Sequence, residues 1–488
     1  MAAGAADQPN VVLIYADDMG YGEIEALNPE RSSIPTPSLN RLAEEGVVFT
    51  DAHTSSSVCS PSRYALLTGR YNWRTRLQRG VVKGNADPLI AEGRATLANL
   101  FRDQGYSTAI VGKWHLDYNY EIPEGLKNAP VQGETREFYP SGFPVGTHIP
   151  DGPITRGFDS FYGFHHAGAM SGIVRDDTIV EDMKVVDVLP ALTKEAVGFI
   201  DRKSTEAKAG KPFFLYFPLS SPHGPIAPSK EWQGKSELGS YGDFIMQTDA
   251  SVGAVMAALD RNGLRENTII VFSTDNGTSP IAKFEDLEAA GHYPSANLRG
   301  HKADLWDGGH RVPFILRWPG NAAPGTQCNQ LICLSDMMAT FAEFFGVALA
   351  DDTAEDSVSF LPALYSKPVK EGREAIVHHS INGRFGIRRG DWKLLLAPGS
   401  GGWASPKDPD AAAKGLPDVQ LYNLREDLGE QNNLQAEHPE KVAALIQLLE
   451  TYVANGRSTP GAVQKNDAEI DLFKKELNKP RKRVKKKK

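Results

Sequence analysis

Five short apolar runs constrain the fold of this chain more than any other feature of its 488 residues. They are VVLIYA at residues 11–16, TAIV at 108–111, FFLYFPL at 213–219, TIIVFS at 268–273 and VPFILRW at 312–318. Because their apolar residues do not alternate with polar ones, the runs predict strands covered on both faces, as in a parallel sheet. Helical patterns lie between them, for example at residues 38–45 and 244–259. This alternation predicts an α/β fold in which helices sandwich a large mixed, mostly parallel sheet.

The pattern changes past about residue 370, where shorter elements follow. HHSINGRFGIRRGDWKLLL predicts a hairpin that turns at residues 389–391, LYNL a short strand, and HPEKVAALIQLLETYV an amphipathic helix. We therefore predict a large α/β domain over residues 1–370, a smaller C-terminal α+β subdomain with a short antiparallel sheet over 371–460, and an extended basic tail over 461–488. The Pro-, Gly- and acid-rich residues 120–160 predict a long surface insertion.

The two ends of the chain differ in charge. The last eight residues, RKRVKKKK, carry seven positive charges, so the formal net charge of −8 leaves −15 for the rest. Such a tail is expected to be solvated and disordered, and the alternative is that it binds a polyanion. The start, MAAGAADQPN, has no basic segment followed by an apolar run and is therefore not a signal peptide; we expect that a leader has been trimmed from this end.

Composition argues against several classes of protein. No apolar stretch reaches the roughly 18 residues that a membrane span needs, and we expect no nucleic-acid partner. Three cysteines are too few for a disulfide framework. Cys328 and Cys333 are close enough in sequence to pair, and the sequence leaves that pairing open.

Polar clusters stand next to the apolar runs. Four follow a run, namely Asp17-Asp18, Gly112-Lys113-Trp114-His115, Ser220-Ser221-Pro222-His223 and Thr274-Asp275-Asn276-Gly277, while a fifth, HKADLWDGG at residues 301–309, precedes the last run. Ligands of open α/β sheets bind at the carboxyl ends of the strands. Four of these clusters are therefore predicted to share one rim, although hundreds of residues separate them in the chain.

The acidic members of the clusters favour a hard cation. Asp17, Asp18, Asp275 and Asn276 offer only oxygen ligands, which suit Ca²⁺ or Mg²⁺ better than zinc. Taken alone, Asp17-Asp18 is explained as well by a capped turn, and Asp275-Asn276-Gly277 by a tight turn. Their joint placement after two apolar strands makes a shared metal the better interpretation.

The basic members of the clusters predict an anion-binding site. Lys113, His115, His223, Lys302 and Arg63 would crowd beside that cation, and so many positive groups in one cleft need a negative partner. Singly, such residues are usually structural or solvated. Together they suit a tetrahedral oxyanion, sulfate or phosphate, whose oxygens accept charge-assisted hydrogen bonds and whose leaving group needs a proton.

One cysteine has surroundings that are unusual for a core residue. Cys59 stands between a serine run and Ser60-Pro61-Ser62-Arg63, where a helix is predicted to begin. Free N–H groups at a helix start would add to the anion site. Cys59-Ser60-Pro61-Ser62-Arg63, followed by Leu67-Thr68-Gly69-Arg70, resembles the C-x-P-S-R…L-T-G-R motif of type I (formylglycine-dependent) sulfatases, which belong to the alkaline-phosphatase-like superfamily. The other clusters, together with Gly308-Gly309-x-Arg311-Val312-Pro313, occur in that family's order from about residue 10 to 455.

The resemblance implies a mechanism and a set of site residues. In the family the motif cysteine is oxidised, by a formylglycine-generating maturation enzyme, to Cα-formylglycine; one hydroxyl of its hydrate attacks sulfur, and the second allows release of sulfate. Residues 1–370 then form the catalytic domain. The implied Ca²⁺ ligands are Asp17, Asp18, modified Cys59, Asp275 and Asn276. The implied catalytic residues are Cys59, Arg63, Lys113, His115, His223 and Lys302, with His115 as the base that drives elimination and His223 as the general acid.

The substrate is predicted less directly. The family often has Glu-Gly-Gly where this chain has Asp307-Gly308-Gly309, and glycine where it has Asp117. Asp117 either accepts hydrogen bonds from a sugar or faces solvent in a loop. His165, His166 and Arg175, and further Trp73, Arg74, Arg76 and His379, either contact a sulfated sugar or have structural roles.

Resemblance to bacterial polysaccharide-degrading sulfatases favours a sulfated carbohydrate substrate and a periplasmic or secreted location. Two other functions stay open at this point. One is phosphonate or phosphodiester hydrolysis by the same superfamily. The other is catalytically silent binding of sulfated glycans, with the basic tail as an anchor; retention of all the motifs argues against it.

Overall fold

The structure is a computed structural model that describes residues 8–127, 143–365 and 372–479. Its strands are β1 (Asn10–Asp17), β2 (Val47–Phe49), β3 (Ala52–His53), β4 (Ser107–Lys113), β5 (Ser160–Phe164), β6 (Gly172–Arg175), β7 (Thr178–Asp182), β8 (Phe213–Pro222), β9 (Thr268–Thr274), β10 (Phe314–Arg317), β11 (Thr326–Cys328), β12 (Ile332–Cys333), β13 (Ile376–His379), β14 (Phe385–Arg389), β15 (Trp392–Leu395) and β16 (Gln420–Asn423). All five apolar runs of the sequence form strands, as predicted.

Ten of these strands form one large sheet, in the order β11-β2-β10-β9-β1-β8-β4-β5-β6-β7. Its centre, β9-β1-β8-β4-β5, is parallel throughout. The antiparallel contacts lie on either side, at β10 and at β6 and β7. The predicted large mixed, mostly parallel sheet is confirmed.

Helices cover both faces of this sheet. They are α1 (Pro37–Glu45), α2 (Cys59–Thr68), α3 (Leu97–Asp103), α4 (Val185–Lys208), α5 (Gly239–Arg261), α6 (Phe284–Ala289), α7 (Asp307–His310), α8 (Met337–Phe345), α9 (Leu361–Leu364), α10 (Asp408–Ala413) and α11 (Pro439–Ala454). Successive residues of β1 enter different cores: Val12 and Ile14 pack with α1, α4 and α5, whereas Val11 and Leu13 pack with α2, α3 and α8. Every side chain of β1 is therefore buried, which explains its continuous apolar run.

The direction of β10 explains why the fifth polar cluster precedes its strand. β10 runs antiparallel to β9, so its amino end lies beside the carboxyl end of β9. The segment that leads into β10 therefore reaches the same rim as the segments that leave the parallel strands. This reversal could not be predicted from the sequence, because a buried strand is apolar in either direction.

The C-terminal part contains a second sheet, β13-β14-β15-β16, which is antiparallel throughout. Helix α11 packs on it through Leu445 and Leu449, in a core that also takes in Tyr71 and Trp73 from the first part of the chain. The predicted hairpin is β14 and β15, joined at Gly390, and the predicted short antiparallel sheet is confirmed. This sheet packs directly against the segment that follows α2.

Residues 461–479 run along the body of the molecule. Asp467 pairs with Arg70, and Arg384 donates to the carbonyl of Phe473 at 2.6 Å. The basic residues 481–488 of the predicted tail, and the middle of the predicted insertion, lie outside the described residues. Phe158, within the predicted insertion, is buried against Trp114, so the C-terminal end of residues 120–160 belongs to the core and not to the surface. The domain boundaries stay predictions.

Two further findings concern the chain as a whole. Cys59, Cys328 and Cys333 are all free thiols, so no disulfide joins the two cysteines that are close in sequence. Within the described ranges, none of the helices combines the length and the apolar character that crossing a membrane requires.

Candidate active site

The end of β1 directs two successive carboxylates to one point. Side chains that follow each other along a strand normally face opposite sides. Asp18 has a left-handed backbone, with φ of 68°, which turns its side chain to the same side as that of Asp17. The Sγ atom of Cys59 lies 3.6 Å from Asp17 Oδ1 and 3.9 Å from Asp18 Oδ1. Both aspartates are buried, and they lie next to the cysteine as predicted.

Helix α2 begins at Cys59 and holds the next charged group one turn further on. Arg63 lies on the same helical face as Cys59 because residues four apart are neighbours on a helix. Its guanidinium donates to Asp275 Oδ2 at 2.7 Å and lies 3.5 Å from Asp17 Oδ1. Gly69 ends the helix in the left-handed conformation, which explains the glycine of Leu67-Thr68-Gly69-Arg70.

Two lysines complete the charged floor from opposite sides. Lys113, at the end of β4, donates to Asp17 Oδ2 at 2.6 Å. Lys302, from the segment before β10, donates to both carboxylate oxygens of Asp18 and lies 3.6 Å from Cys59 Sγ. The side chains of Lys113 and Lys302 are almost fully buried. Their attraction to Asp17 and Asp18 therefore acts in a medium of low polarity.

The turn after β9 supplies the remaining oxygen ligands. Asp275 Oδ1 accepts from the Asp18 backbone N–H, and the Asn276 amide nitrogen donates to Asp18 Oδ1 at 2.8 Å. Asn276 Oδ1 is buried and has no hydrogen-bond partner among the described residues. A Cβ at Gly277 would lie 1.8 Å from the carbonyl oxygen of Gly308, so the glycines of the two motifs let this turn pack against α7.

Hydrogen bonds fix which ring nitrogen each site histidine turns to the cavity. His223 Nδ1 donates to the Gly224 carbonyl, so its Nε2, 3.6 Å from Asp18 Oδ2, faces the carboxylates. His115 Nε2 donates to the Val82 carbonyl at 3.1 Å, which leaves Nδ1 as an acceptor that has no partner among the described residues. Burial lowers the pKa of both rings. Each is therefore neutral near pH 7 until an anion binds beside it.

The thiol of Cys59 is a poor nucleophile in this environment. Burial and the neighbouring Asp275 carboxylate raise its pKa above the usual range. The pKa of Asp17 is held below its usual range, because Lys113, His223 and Arg63 outweigh the effect of burial. Asp17 and Asp18, whose pKa is also lowered, are therefore charged while the sulfur holds its proton.

Cys59, His115, His223 and Lys302 line one cavity of about 450 Å³. Among the predicted substrate contacts, His166 also lines it. Two others lie behind its wall. Asp117 Oδ1 accepts from the Gly84 backbone N–H at 2.9 Å and lies 3.5 Å from His165 Nε2, and both of these side chains are buried.

The other predicted contacts lie elsewhere. Arg175, on β6, stacks over Tyr162 and pairs with Glu195 of α4, away from the cavity lining. Trp73 and His379 are buried in or beside the C-terminal core, and Arg74 pairs with Asp356. Arg76 lies 3.4 Å from Asp117, behind the wall.

Sequence reasoning missed the apolar part of the cavity wall. Val81 and Val82 come from a loop without secondary structure, and Ile381 and Trp403 come from the C-terminal part. A tryptophan in a Gly- and Ser-rich stretch, SGGWAS, was the available signal for Trp403, since such a residue has no helix or strand face to fill.

Comparison with known proteins agrees with this geometry. The family model described as Sulfatase matches residues 9–347. The chain is 31% identical to an N-acetylgalactosamine-6-O-sulfatase of Bacteroides thetaiotaomicron, over 91% of this chain and 93% of that one. It is 33% identical to arylsulfatase A of Bos taurus, over 89% and 85%. A solved 6S-sulfatase structure, from work on glycosaminoglycan metabolism by Bacteroides thetaiotaomicron, superposes with a TM-score of 0.75 at 29% identity, covering 91% and 99%.

A buried cysteine amid carboxylates, lysines and histidines at the rim of a mostly parallel sheet defines a hydrolase of the alkaline-phosphatase-like superfamily. The chain belongs to the sulfatase family and is a sulfuric ester hydrolase. The matched family and relatives are sulfatases, so the phosphonate or phosphodiester alternative is not favoured.

Proposed function

We propose that this sulfatase removes sulfate from a sulfated carbohydrate, with Cys59 converted to formylglycine and with Ca²⁺ held by Asp17, Asp18, Asp275 and Asn276. The observation that carries the proposal is the meeting of Cys59 with two carboxylates and Lys302 within 4 Å at the floor of one cavity. Arg63 and Lys113 lie in the same network.

The residues present suit a calcium ion. The four candidate ligands offer oxygen atoms, and Asn276 Oδ1 is buried and has no partner in the part of the chain that the structure describes, as expected of an atom that needs a cation. Asp17, Asp18, Cys59 and His223 each have a potential ligand atom within 4.8 Å of the others. We assign the oxygen groups to the ion and His223 to the substrate, because a hard cation prefers oxygen. When bound, Ca²⁺ would polarise the sulfate oxygens.

Formylglycine would supply a hydrated aldehyde whose hydroxyl is the nucleophile. The other roles belong to residues of this chain. Arg63 and Lys113 hold the carboxylates in place and add positive charge beside the nucleophile. Lys302 donates to the sulfate oxygens. His223, whose pKa rises when the sulfate anion binds next to it, delivers a proton from Nε2 to the leaving oxygen, and His115 takes a proton at Nδ1.

The first substrate class to test is a 6-O-sulfated amino sugar. The support is the relative named for N-acetylgalactosamine 6-O-sulfate, which aligns with 91% of this chain. His166 and Lys83 line the cavity and are candidates to bind sugar hydroxyls, while Asp117 and His165 hold that wall from behind. A periplasmic or secreted location fits such a substrate. A maturation enzyme for Cys59 is the second implied partner.

The test compares two cysteine variants of enzyme coproduced with a formylglycine-generating enzyme. We expect Cys59→Ala to lose at least 10³-fold in kcat, since removal of a nucleophile removes the chemical step. Cys328→Ala, at a free thiol outside the cavity, is expected to keep wild-type activity. Mass spectrometry of the Cys59 peptide should show conversion of the thiol to the aldehyde. Full activity of Cys59→Ala would contradict the proposal, as would faster turnover of an aryl phosphodiester than of any sulfate ester.

A further inference from the structure

Trp403 is an exposed tryptophan at the mouth of the catalytic cavity. It is 40% exposed, lines the cavity together with Lys302, and has no ring or cation stacked on its indole among the described residues. Six of the seven tryptophans of the chain are buried or half-buried. A single exposed apolar side chain is common on protein surfaces, so the position of Trp403 is informative only together with other exposed apolar groups at the same cavity.

The loop that carries Trp403 is held rigidly to the loop that carries Lys302. The backbone N–H groups of Trp403 and Ala404 both donate to Asp304 Oδ1, at 2.8 and 3.0 Å, and Asp304 is fully buried. Leu305 donates to the Ser400 carbonyl at 2.8 Å. The backbone that carries the indole is therefore tied to the loop of the lysine that contacts Cys59 and Asp18.

A second exposed apolar group lines the same mouth. Ile281, 51% exposed, is held beside Gly224, where an added Cβ would lie 2.6 Å from Ile281 Cδ1. Val81, Ile381 and Pro225 extend this apolar wall. At the floor, Lys302 lies beside Cys59 and His223 beside Asp18, whereas Lys83 belongs to the exposed part of the lining. The wall thus suits a ligand with one apolar face, and the floor suits its anionic group.

We propose that Trp403 and Ile281 form an apolar clamp that binds the C–H face of the sugar ring whose sulfate ester is hydrolysed. The inference rests on the proposed function and adds to it that the ring itself, and not only the sulfate, is recognised. Apolar contact with an indole face is made equally in the ground state and the transition state. The clamp therefore acts on KM and leaves kcat unchanged.

The experiment separates ring recognition from sulfate chemistry by using two esters of primary alcohols. N-acetylgalactosamine 6-sulfate has the ring, and ethyl sulfate lacks it. In Trp403→Ala we expect KM for the sugar sulfate to rise about tenfold with kcat unchanged, while the KM of ethyl sulfate, or its Ki against an aryl sulfate, changes less than twofold. Trp403→Phe should restore most of the affinity for the sugar. Trp232→Ala, at a tryptophan outside the cavity, should change neither constant.

The outcomes are distinct. An equal loss of affinity for both esters in Trp403→Ala overturns the clamp, as does an unchanged KM for the sugar sulfate or a loss that appears only in kcat. A matching thermal unfolding midpoint of variant and wild type shows that the fold is retained; if Trp403→Ala does not fold, Ile281→Ala provides the same comparison. Failure of the formylglycine-bearing wild type to hydrolyse any sulfate ester overturns the proposed function instead.

Discussion

Two single residues at the cavity floor have backbone conformations that are unfavourable for any residue with a side chain. Asp18 and His115 both have positive φ, at 68° and 54°. Such a backbone costs on the order of 1 kcal/mol or more for a residue with a side chain, and it is kept where the surroundings demand it. Here it points a carboxylate at Cys59 and an imidazole nitrogen into the cavity.

Asn276 provides a prediction about metal affinity. Its Oδ1 has no hydrogen-bond partner among the described residues, so Asn276→Ala removes a proposed calcium ligand and also the donor to Asp18 Oδ1. We expect the dissociation constant for Ca²⁺, measured by isothermal titration calorimetry, to rise at least tenfold, and the calcium-induced rise of the unfolding midpoint to shrink accordingly. Asn321→Ala, at an exposed position far along the chain, is the control. Equal affinity in wild type and Asn276→Ala would remove Asn276 from the ligand set.

At the scale of elements, the cavity wall depends on a segment that follows the last helix. Lys474 is buried, and its ammonium group donates to the carbonyls of Gly383 and Gln78, at 2.6 and 3.1 Å. These two carbonyls belong to neighbouring loops that also meet directly, where Gly80 donates to Ile381. The same loops supply Val81, Val82 and Ile381 to the cavity. Lys474 thus ties together the two loops that form one wall.

Replacing Lys474 should loosen that wall. In Lys474→Met the two carbonyls lose a charged donor, and we expect the free energy of unfolding to fall by about 1–3 kcal/mol. We also expect KM for the sugar sulfate to rise more than the KM of ethyl sulfate, because ethyl sulfate does not reach the apolar wall. Lys475→Met, at the adjacent exposed lysine, should match the wild type in both chemical denaturation and kinetics. If both variants behave alike, Lys474 has no such role.

The positions of residues at the end of an apolar strand could be predicted from the sequence. The positions of residues held by contacts with distant parts of the chain could not. Asp17, Lys113 and Asp275 were placed correctly because each follows an apolar strand of a parallel sheet. Arg175 was predicted as a sugar contact together with His165 and His166, which are close to it in sequence, whereas β6 runs antiparallel to β5 and carries Arg175 away from the cavity. The positions of Trp403 and Lys474 depend on Asp304 and Gly383, which lie about 90 to 100 residues away along the chain, and no local pattern reports such contacts.

At the scale of the whole molecule, buried histidines make the free energy of unfolding depend on pH. His53 of β3, His310 of α7 and His378 of β13 form one buried cluster. The charged groups around it are Asp51, Asp307, Lys393, Arg388 and Glu430. Burial lowers the pKa of all three rings, and it lowers that of His166 to about 3. The folded protein therefore keeps these rings neutral, whereas the unfolded chain binds protons below its histidine pKa of about 6.5.

The sign of the pH effect follows from this difference. Because the unfolded state binds more protons, the free energy of unfolding should be steady above pH 6.5 and should fall as the pH drops from 6.5 to 5, by up to about 1.4 kcal/mol per pH unit for each such histidine. Urea unfolding at several pH values measures the slope. His378→Gln should reduce it by the contribution of one ring. A slope that is the same in the variant would show that His378 does not contribute.

The pairing of β1 with β8 and β9 has a consequence for biosynthesis. β1 ends at residue 17, but its neighbours β8 and β9 are complete only when residue 274 has been synthesised. At a usual rate of about 5–20 residues per second, a ribosome needs roughly 10 to 40 seconds after Cys59 to make the last of them. Throughout that interval the central sheet is incomplete, and the cavity around Cys59 has not yet formed. The order of strands along the gene thus gives any enzyme that must reach this side chain its time to act.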